Sequence, residues 1–260
     1  MIGFIGAGNM GSAIIGGIIG SGISRAEELV AADKSSEILD KLDFNIKKTS
    51  DNKAAAECDI LFLAVKPQFL YDVIDEIKDV VSEKTVIVSI AAGQPVEKIE
   101  AAFGKKISLI RVMPNTPALV GEAMSALVPN KNVSEEDISR VKSIFESFGK
   151  AEIVSERLMD AVTAVSGSSP AYIFMLIEAM ADAAVNAGMP RKQSYTFAAQ
   201  AVLGSAKMVL ETGLHPGELK DMVCSPAGTT IEAVKVLEER GFRASIIDAM
   251  DACVKKSESM

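Results

Sequence analysis

The chain opens on Ile2-Gly3-Phe4-Ile5-Gly6-Ala7-Gly8-Asn9-Met10-Gly11, and no other stretch restricts its fold as strongly. An apolar run of strand length meets Gly6-x-Gly8-x-x-Gly11, and Ile14, Ile15, Ile18 and Ile19 then recur at helical spacing. Strand, glycine turn and helix in that order suit the pyrophosphate of a dinucleotide. The first glycine permits the sharp turn, the second lets backbone approach the phosphates, and the third lets helix pack on strand. Exposed N–H groups and the positive end of the helix dipole then face the anion. The competing reading is a glycine-rich turn that serves the fold alone.

The following strands extend the same pattern. Leu29 to Asp33 reads as a second strand, and Asp33 lies twenty-two residues beyond Gly11. An acid at about that distance typically bonds the adenosine ribose hydroxyls and favours NAD, whereas Lys34 and Ser35, which follow at once, suit a 2′-phosphate. Ile60 to Val65 is a fully apolar strand, as in the centre of a parallel sheet, and it ends in Lys66-Pro67. Lys66 is thereby placed at the strand edge where open α/β sheets bind ligands. Thr85 to Ile90 reads as a strand ending in the small residues Ala91-Ala92-Gly93, and Ile107 to Val112 and Ala123 to Val128 as two more. Met113-Pro114-Asn115-Thr116-Pro117 is a rigid loop, since two prolines fix φ. Ser134 followed by Glu135, Glu136 and Asp137 starts a helix with a cap and three acids in its first turn. The alternation implies a doubly wound parallel sheet through about residue 150.

From Glu156 onward only helical patterns remain. The expected domains are therefore a Rossmann-type domain over 1–155 and an all-α domain over 156–260. Ser166-Gly167-Ser168-Ser169-Pro170 is expected to break the helical pattern before a long apolar helix to Asn186. A second covers Arg191 to Thr212, His215-Pro216-Gly217 is a turn, and two more helices follow Cys224 to Thr230 and Gly241. Ala198, Ala199, Ala201, Val202, Leu203 and Ala206 leave their helix little polar face, and such a helix must be buried. A small helical domain has few places to bury it, which points to a homodimer.

Composition excludes other classes. A net charge of -8 without a basic cluster argues against nucleic acid. Three scattered cysteines make neither a disulfide framework nor a metal site and fit a cytoplasmic setting, and the single His215 leaves no histidine-based triad. Glu178, Asp182 and Asn186 stripe one face of the apolar helix after Ala171, the pattern of a packed helix rather than a membrane span.

The Ser225 to Thr230 segment is a second chemical candidate. Pro226 stiffens it, Ala227-Gly228 expose backbone N–H groups, and Thr229 and Thr230 add hydroxyls at a helix start, a place suited to a carboxylate. An ordinary Pro-Gly turn with a threonine cap is the alternative.

Taken together, Gly6-Ala7-Gly8-Asn9-Met10-Gly11, Ala64-Val65-Lys66-Pro67, Met113 to Pro117, Val165 to Tyr172, His215-Pro216-Gly217 and Leu219 to Pro226 resemble the pyrroline-5-carboxylate reductases nearly end to end. The resemblance implies reduction of L-1-pyrroline-5-carboxylate to L-proline by NADPH or NADH, leaning to NADPH, in a homodimer that some members assemble into decamers. It implies cofactor contacts at Gly6, Ala7, Gly8, Asn9, Met10, Gly11, Ser35, Asn52, Ala64, Val65, Lys66, Pro67, Ile90, Ala91 and Ala92. It places the substrate, a cyclic imine, at Val223, Gly228, Thr229 and Thr230, with Glu156 nearby and Thr230 as hydrogen-bond donor to the ring nitrogen. The family usually has two glycines after the loop proline and here the first is Ala227; if that position needs φ > 0, alanine costs about 1 kcal/mol. The competing readings are a β-hydroxyacid dehydrogenase, whose characteristic lysine is missing after Gly167, and a catalytically silent dinucleotide binder.

Overall fold

The structure, a computed structural model, describes residues 1–259 in two compact units, 1–168 with 254–259 and 169–253.

The first unit is built on one eight-stranded sheet. Its elements run β1 (Ile2–Ile5), α1 (Asn9–Gly20), β2 (Leu29–Ala32), α2 (Ser36–Lys41), β3 (Lys47–Thr49), α3 (Asn52–Ala56) and β4 (Ile60–Leu63). They continue with α4 (Pro67–Ile77), β5 (Val86–Ser89), α5 (Val96–Phe103), β6 (Ser108–Met113), β7 (Ala123–Pro129), α6 (Glu135–Glu146) and β8 (Gly149–Ile153). The strand order is β3-β2-β1-β4-β5-β6-β7-β8. The chain winds outward from β1 in one direction and from β4 in the other, so a crevice opens between their carboxyl ends, where such sheets take ligands.

Alternation along each strand divides the core between two faces. Phe4, Ala31, Phe62 and Val88 share one register row and pack under Ile14, Ile15 and Ile18 of α1 and Val141, Ile144 and Phe145 of α6. Phe4 and Phe62 stack with ring centres 4.6 Å apart. The neighbouring row, Val30, Leu61 and Ile87, joins Leu70, Ile74 and Ile77 of α4 and Ile99 and Phe103 of α5.

One pairing departs from the expected parallel sheet: β7 runs antiparallel to β6, Ile110 opposite Pro129 and Met113 opposite Ala126. Between them lies only a 3₁₀ turn, Thr116–Val120, too short for the crossover of a dozen or more residues that a parallel return needs. Asn115 holds this loop from both sides, its amide donating to the Ser166 carbonyl at 3.0 Å and its Oδ1 accepting from the Met124 N–H at 2.9 Å. The edge strands β3 and β8 are short and polar or exposed, and the sequence pattern did not show them.

The expected helix break at Ser166 to Pro170 does not occur. A short α7 (Met159–Val162) passes into a π-helical stretch, Thr163–Ser168, which leads straight into α8 (Ser169–Asn186). Proline lacks the N–H that an α-helix interior requires, and a π-turn re-registers the bonds around that gap.

The second unit holds α8, α9 (Arg191–Thr212), α10 (Pro216–Val223), α11 (Thr229–Glu239) and most of α12 (Phe242–Glu258). The expected turn at His215 proves to be a cap: His215 Nδ1 accepts from the Gly217 N–H at 3.0 Å, and α10 starts at Pro216.

Candidate active site

The glycine turn occupies the crevice between β1 and β4. Gly6 has φ +97°, and a Cβ on it would sit 2.5 Å from the Ala64 carbonyl oxygen. A Cβ on Gly11 would come 2.4 Å from the Gly6 carbonyl oxygen. Both are therefore fixed by the protein's own packing. Gly8 is different: a Cβ there would meet nothing within 4 Å, and its φ of -66° is open to any residue. The fold does not demand glycine at that position. The open space faces the start of α1, whose cap has no side-chain partner, which leaves N–H groups for an anion. The residues present thus fit a dinucleotide pyrophosphate.

A cleft of about 540 Å³ lies beside this turn. Its walls bring together Gly6, Gly8, Ser35, Asn52, Ala64, Val65 and Lys66 from the expected set. Ala7, Asn9, Met10, Gly11 and Pro67 continue the same two segments outside the wall itself. Ile90 to Ala92 follow β5 on the same edge, and the Ile90 N–H donates to the Leu63 carbonyl at 3.2 Å. The sequence reading missed the apolar part of the wall, Ile38, Phe69 and Val73, together with Asp72. Phe69 is half exposed at 49%, and its place one turn into α4 after Lys66-Pro67 was the available signal.

Asp33 is committed to the backbone. Its Oδ2 accepts from the Ala7 N–H and its Oδ1 from the Ser35 N–H, each at 2.9 Å. The carboxylate ties the end of β2 to the glycine turn, where the sequence spacing pointed to the ribose hydroxyls. Lys34 and Asn52 instead converge on Glu76 of α4. Asn52 Nδ2 donates to Glu76 Oε2 at 2.9 Å, and Lys34 Nζ stands 3.6 Å from the same oxygen.

Glu156, expected beside a substrate, is a clasp within the first unit. Its Oε1 accepts from the Val96 N–H at 2.7 Å, capping α5, and from Arg111 Nη1 at 2.9 Å. The Arg111 side chain is almost wholly buried, so the carboxylate neutralises a charge that has left water.

In the second unit, Val223, Gly228, Thr229 and Thr230 surround the start of α11. Gly228 is its N-cap, without a side-chain partner, and its N–H donates to the Ser225 carbonyl at 3.0 Å. Thr229 and Thr230 are the first two helical residues, where backbone N–H groups have no helical acceptor. Ala227 has φ +55° and is the one non-glycine residue with positive φ among the described residues. The positive φ considered for this position is therefore present.

The helices of this unit keep much of their apolar surface outward. In 169–253 only Ala181, Ser194 and Ala198 are fully buried. Leu176, Met180, Ala201, Val202, Ala206 and Val209 line an open groove on α8 and α9.

Comparison with known proteins fits both units. The family described as pyrroline-5-carboxylate reductase dimerisation matches residues 156–260, and that described as NADP oxidoreductase, coenzyme F420-dependent, matches residues 1–93. The chain is 52% identical over 263 residues to the pyrroline-5-carboxylate reductase of Escherichia coli (strain K12), covering 100% of this chain and 97% of that one. It is 49% identical to that of Methanosarcina acetivorans, again over 100% of this chain and 97% of the relative. The crystal structure of Plasmodium falciparum pyrroline carboxylate reductase with NADP bound superposes with a TM-score of 0.91 at 36% identity, covering 99% of this chain and 97% of the other.

Proposed function

The chain belongs to the pyrroline-5-carboxylate reductase family, and we infer from that membership that it is an NAD(P)H-dependent oxidoreductase reducing L-1-pyrroline-5-carboxylate to L-proline, the last step of proline synthesis. The observation that carries this reading is the 52% identity over the whole chain, since the cleft alone would suit many dinucleotide enzymes.

Bound NAD(P)H supplies the hydride that adds to the imine carbon. The protein contributes binding, orientation and electrostatics. The backbone from Gly6 to Gly11 holds the pyrophosphate, with Asp33 fixing the Ala7 peptide. Lys34, Ser35 and Asn52 would hold the adenosine ribose end, and Ala64 to Pro67 with Ile90, Ala91 and Ala92 would contact the dinucleotide along the same sheet edge. Both Asp33 oxygens are engaged by N–H groups while Lys34 stays largely exposed, which supports NADPH over NADH.

The N–H groups of Thr229 and Thr230 receive the substrate carboxylate, beside Val223 and Gly228. That contact contributes about 0.3–2 kcal/mol from the helix terminus, according to how far the site is closed from water. The Thr230 hydroxyl donates a hydrogen bond to the ring nitrogen as it becomes an amine. A threonine hydroxyl supplies no net proton at neutral pH, so water or an already protonated imine completes the balance. Glu156, which the family resemblance places near the substrate, also holds Arg111 and the start of α5.

The chain works as an oligomer, consistent with the dimerisation family matched by residues 156–260. We read the assembly as a homodimer, with a decamer as the larger form, in the cytoplasm.

The test follows absorbance at 340 nm with pyrroline-5-carboxylate and NADPH or NADH, with proline measured as product. Equal loss of cofactor and gain of proline supports the reading, and no oxidation by a protein that binds the cofactor rejects it. Thr230→Ala should lower turnover roughly 10- to 1,000-fold with cofactor affinity retained. Wild-type turnover in that variant would remove Thr230 from the mechanism.

A further inference from the structure

Glu76 was not part of the expected site, and it faces two polar residues of the cleft, Lys34 and Asn52. It lies on α4 one helical turn after Asp72 and Val73, which line the cleft. Its carboxylate accepts from Asn52 Nδ2 at 2.9 Å and attracts Lys34 Nζ at 3.6 Å, and both partners are cleft residues. Asn52 is 2% exposed and anchored at the start of α3, so its amide has little freedom to turn elsewhere. Lys34 is the opposite case, with a side chain 74% exposed and free to swing. One oxygen thus receives a fixed amide and a movable ammonium, the two donor types a phosphate oxygen would recruit.

We propose that Glu76 sets how strongly the protein prefers a 2′-phosphorylated dinucleotide, by holding Lys34 and Asn52 on an internal carboxylate that the 2′-phosphate must replace. This rests on reading the cleft as the NAD(P)H site with its ribose end at Asp33 to Ser35. Two effects act in the same direction. Glu76 competes with the phosphate for the Lys34 ammonium, and its negative charge repels the phosphate directly. Neither touches NADH, which carries a hydroxyl at that position. Neutralising Glu76 should therefore tighten NADPH and leave NADH nearly unchanged. Charges a few ångströms apart near a protein surface make the expected gain roughly 3- to 30-fold.

The experiment measures dissociation constants of NADPH and NADH by calorimetry for the wild type, Glu76→Gln, Lys34→Met and the double variant, at low and high salt. Glu76→Gln keeps an oxygen for the Asn52 amide, and its expected result is tighter NADPH with NADH within about twofold, the gain shrinking as salt screens it. Lys34→Met should weaken NADPH selectively, and adding Glu76→Gln to it should restore less than in the wild type, because the competition for the ammonium is gone. An unchanged NADPH/NADH ratio in Glu76→Gln, or equal weakening of both, overturns the proposal and marks Glu76 as a packing residue. Should Glu76→Gln fail to fold, the exposed Lys34→Met decides: without a selective loss of NADPH the proposal falls. A wild type that binds neither dinucleotide overturns the cleft assignment and the proposal with it.

Discussion

Ala227 holds φ +55°, a conformation that crowds the Cβ of any L-residue against its own backbone. Its neighbour Gly228 lies in the extended region at φ -79° and, as N-cap, needs no such freedom. The strain is therefore local to one methyl group, and Ala227→Gly should stabilise the chain by about 1 kcal/mol. Urea titration at fixed protein concentration reads this, since oligomerisation also shifts the midpoint. Loss of stability would mean that glycine's extra freedom in the unfolded chain outweighs the relief. Cys58 gives a pH prediction at the same scale. Burial pushes its thiol up to about 11, against a hydrogen bond from the Gly3 backbone that favours the thiolate. The folded value is raised, so the stabilisation is whole below about pH 9, the ordinary thiol range, and is lost as pH climbs through 11. The loss should reach roughly 2–3 kcal/mol. Thermal melts from pH 8 to pH 11 with Cys58→Ala as reference should show the variant losing less. A thiol reagent at pH 8 should label Cys58 only after denaturation.

The end of β1 and the turn into α1 form the element proposed to bind the dinucleotide. Its glycines separate folding from ligand contact. Gly11→Ala would force a Cβ to 2.4 Å from the Gly6 oxygen, so it should lower the melting temperature and cofactor affinity together. Gly8→Ala meets nothing in the protein, so it should leave the melting temperature within about a degree or two and still weaken NAD(P)H at least 10-fold, because the methyl enters the ligand's space. Calorimetry and thermal melts on the two variants test the division; a Gly8→Ala protein with native affinity would place the pyrophosphate elsewhere. The motif spacing showed this turn because three glycines, a strand and a helix start must be contiguous in sequence. It did not show that Asp33 bonds the Ala7 N–H, or that Glu76 meets Lys34 and Asn52, because those contacts join segments 24 to 42 residues apart. The same limit applies to Glu156, whose clasp on Arg111 spans 45 residues.

As a whole molecule, the protein keeps nearly all its fully buried side chains in the first unit. The second, with three fully buried residues between 169 and 253, lacks the core that would hold five helices alone. The groove on α8 and α9 has the small and aliphatic lining of a helix–helix contact. Ala206→Glu places a good helix former at an exposed position, so it should leave the helicity of one chain unchanged. With a second copy seated in the groove it buries an unpaired charge. Light scattering should then show a shift to monomer at micromolar concentration, with activity falling alongside. An intact oligomer in this variant would move the interface to another face.

The Rossmann-type unit, the helical second unit and the glycine turn were legible in the order of the amino acids. Each of these is written in local periodicity or contiguous spacing, which burial and backbone geometry translate directly into structure. Tertiary structure alone decided the antiparallel turn at β7, the π-helical continuation through Ser166 to Ser168, and the partners of Asp33, Glu76 and Glu156. A carboxylate carries no sequence signal of which N–H or cation it will meet. That choice is made only when distant segments are brought side by side and each buried polar group must find an acceptor or donor.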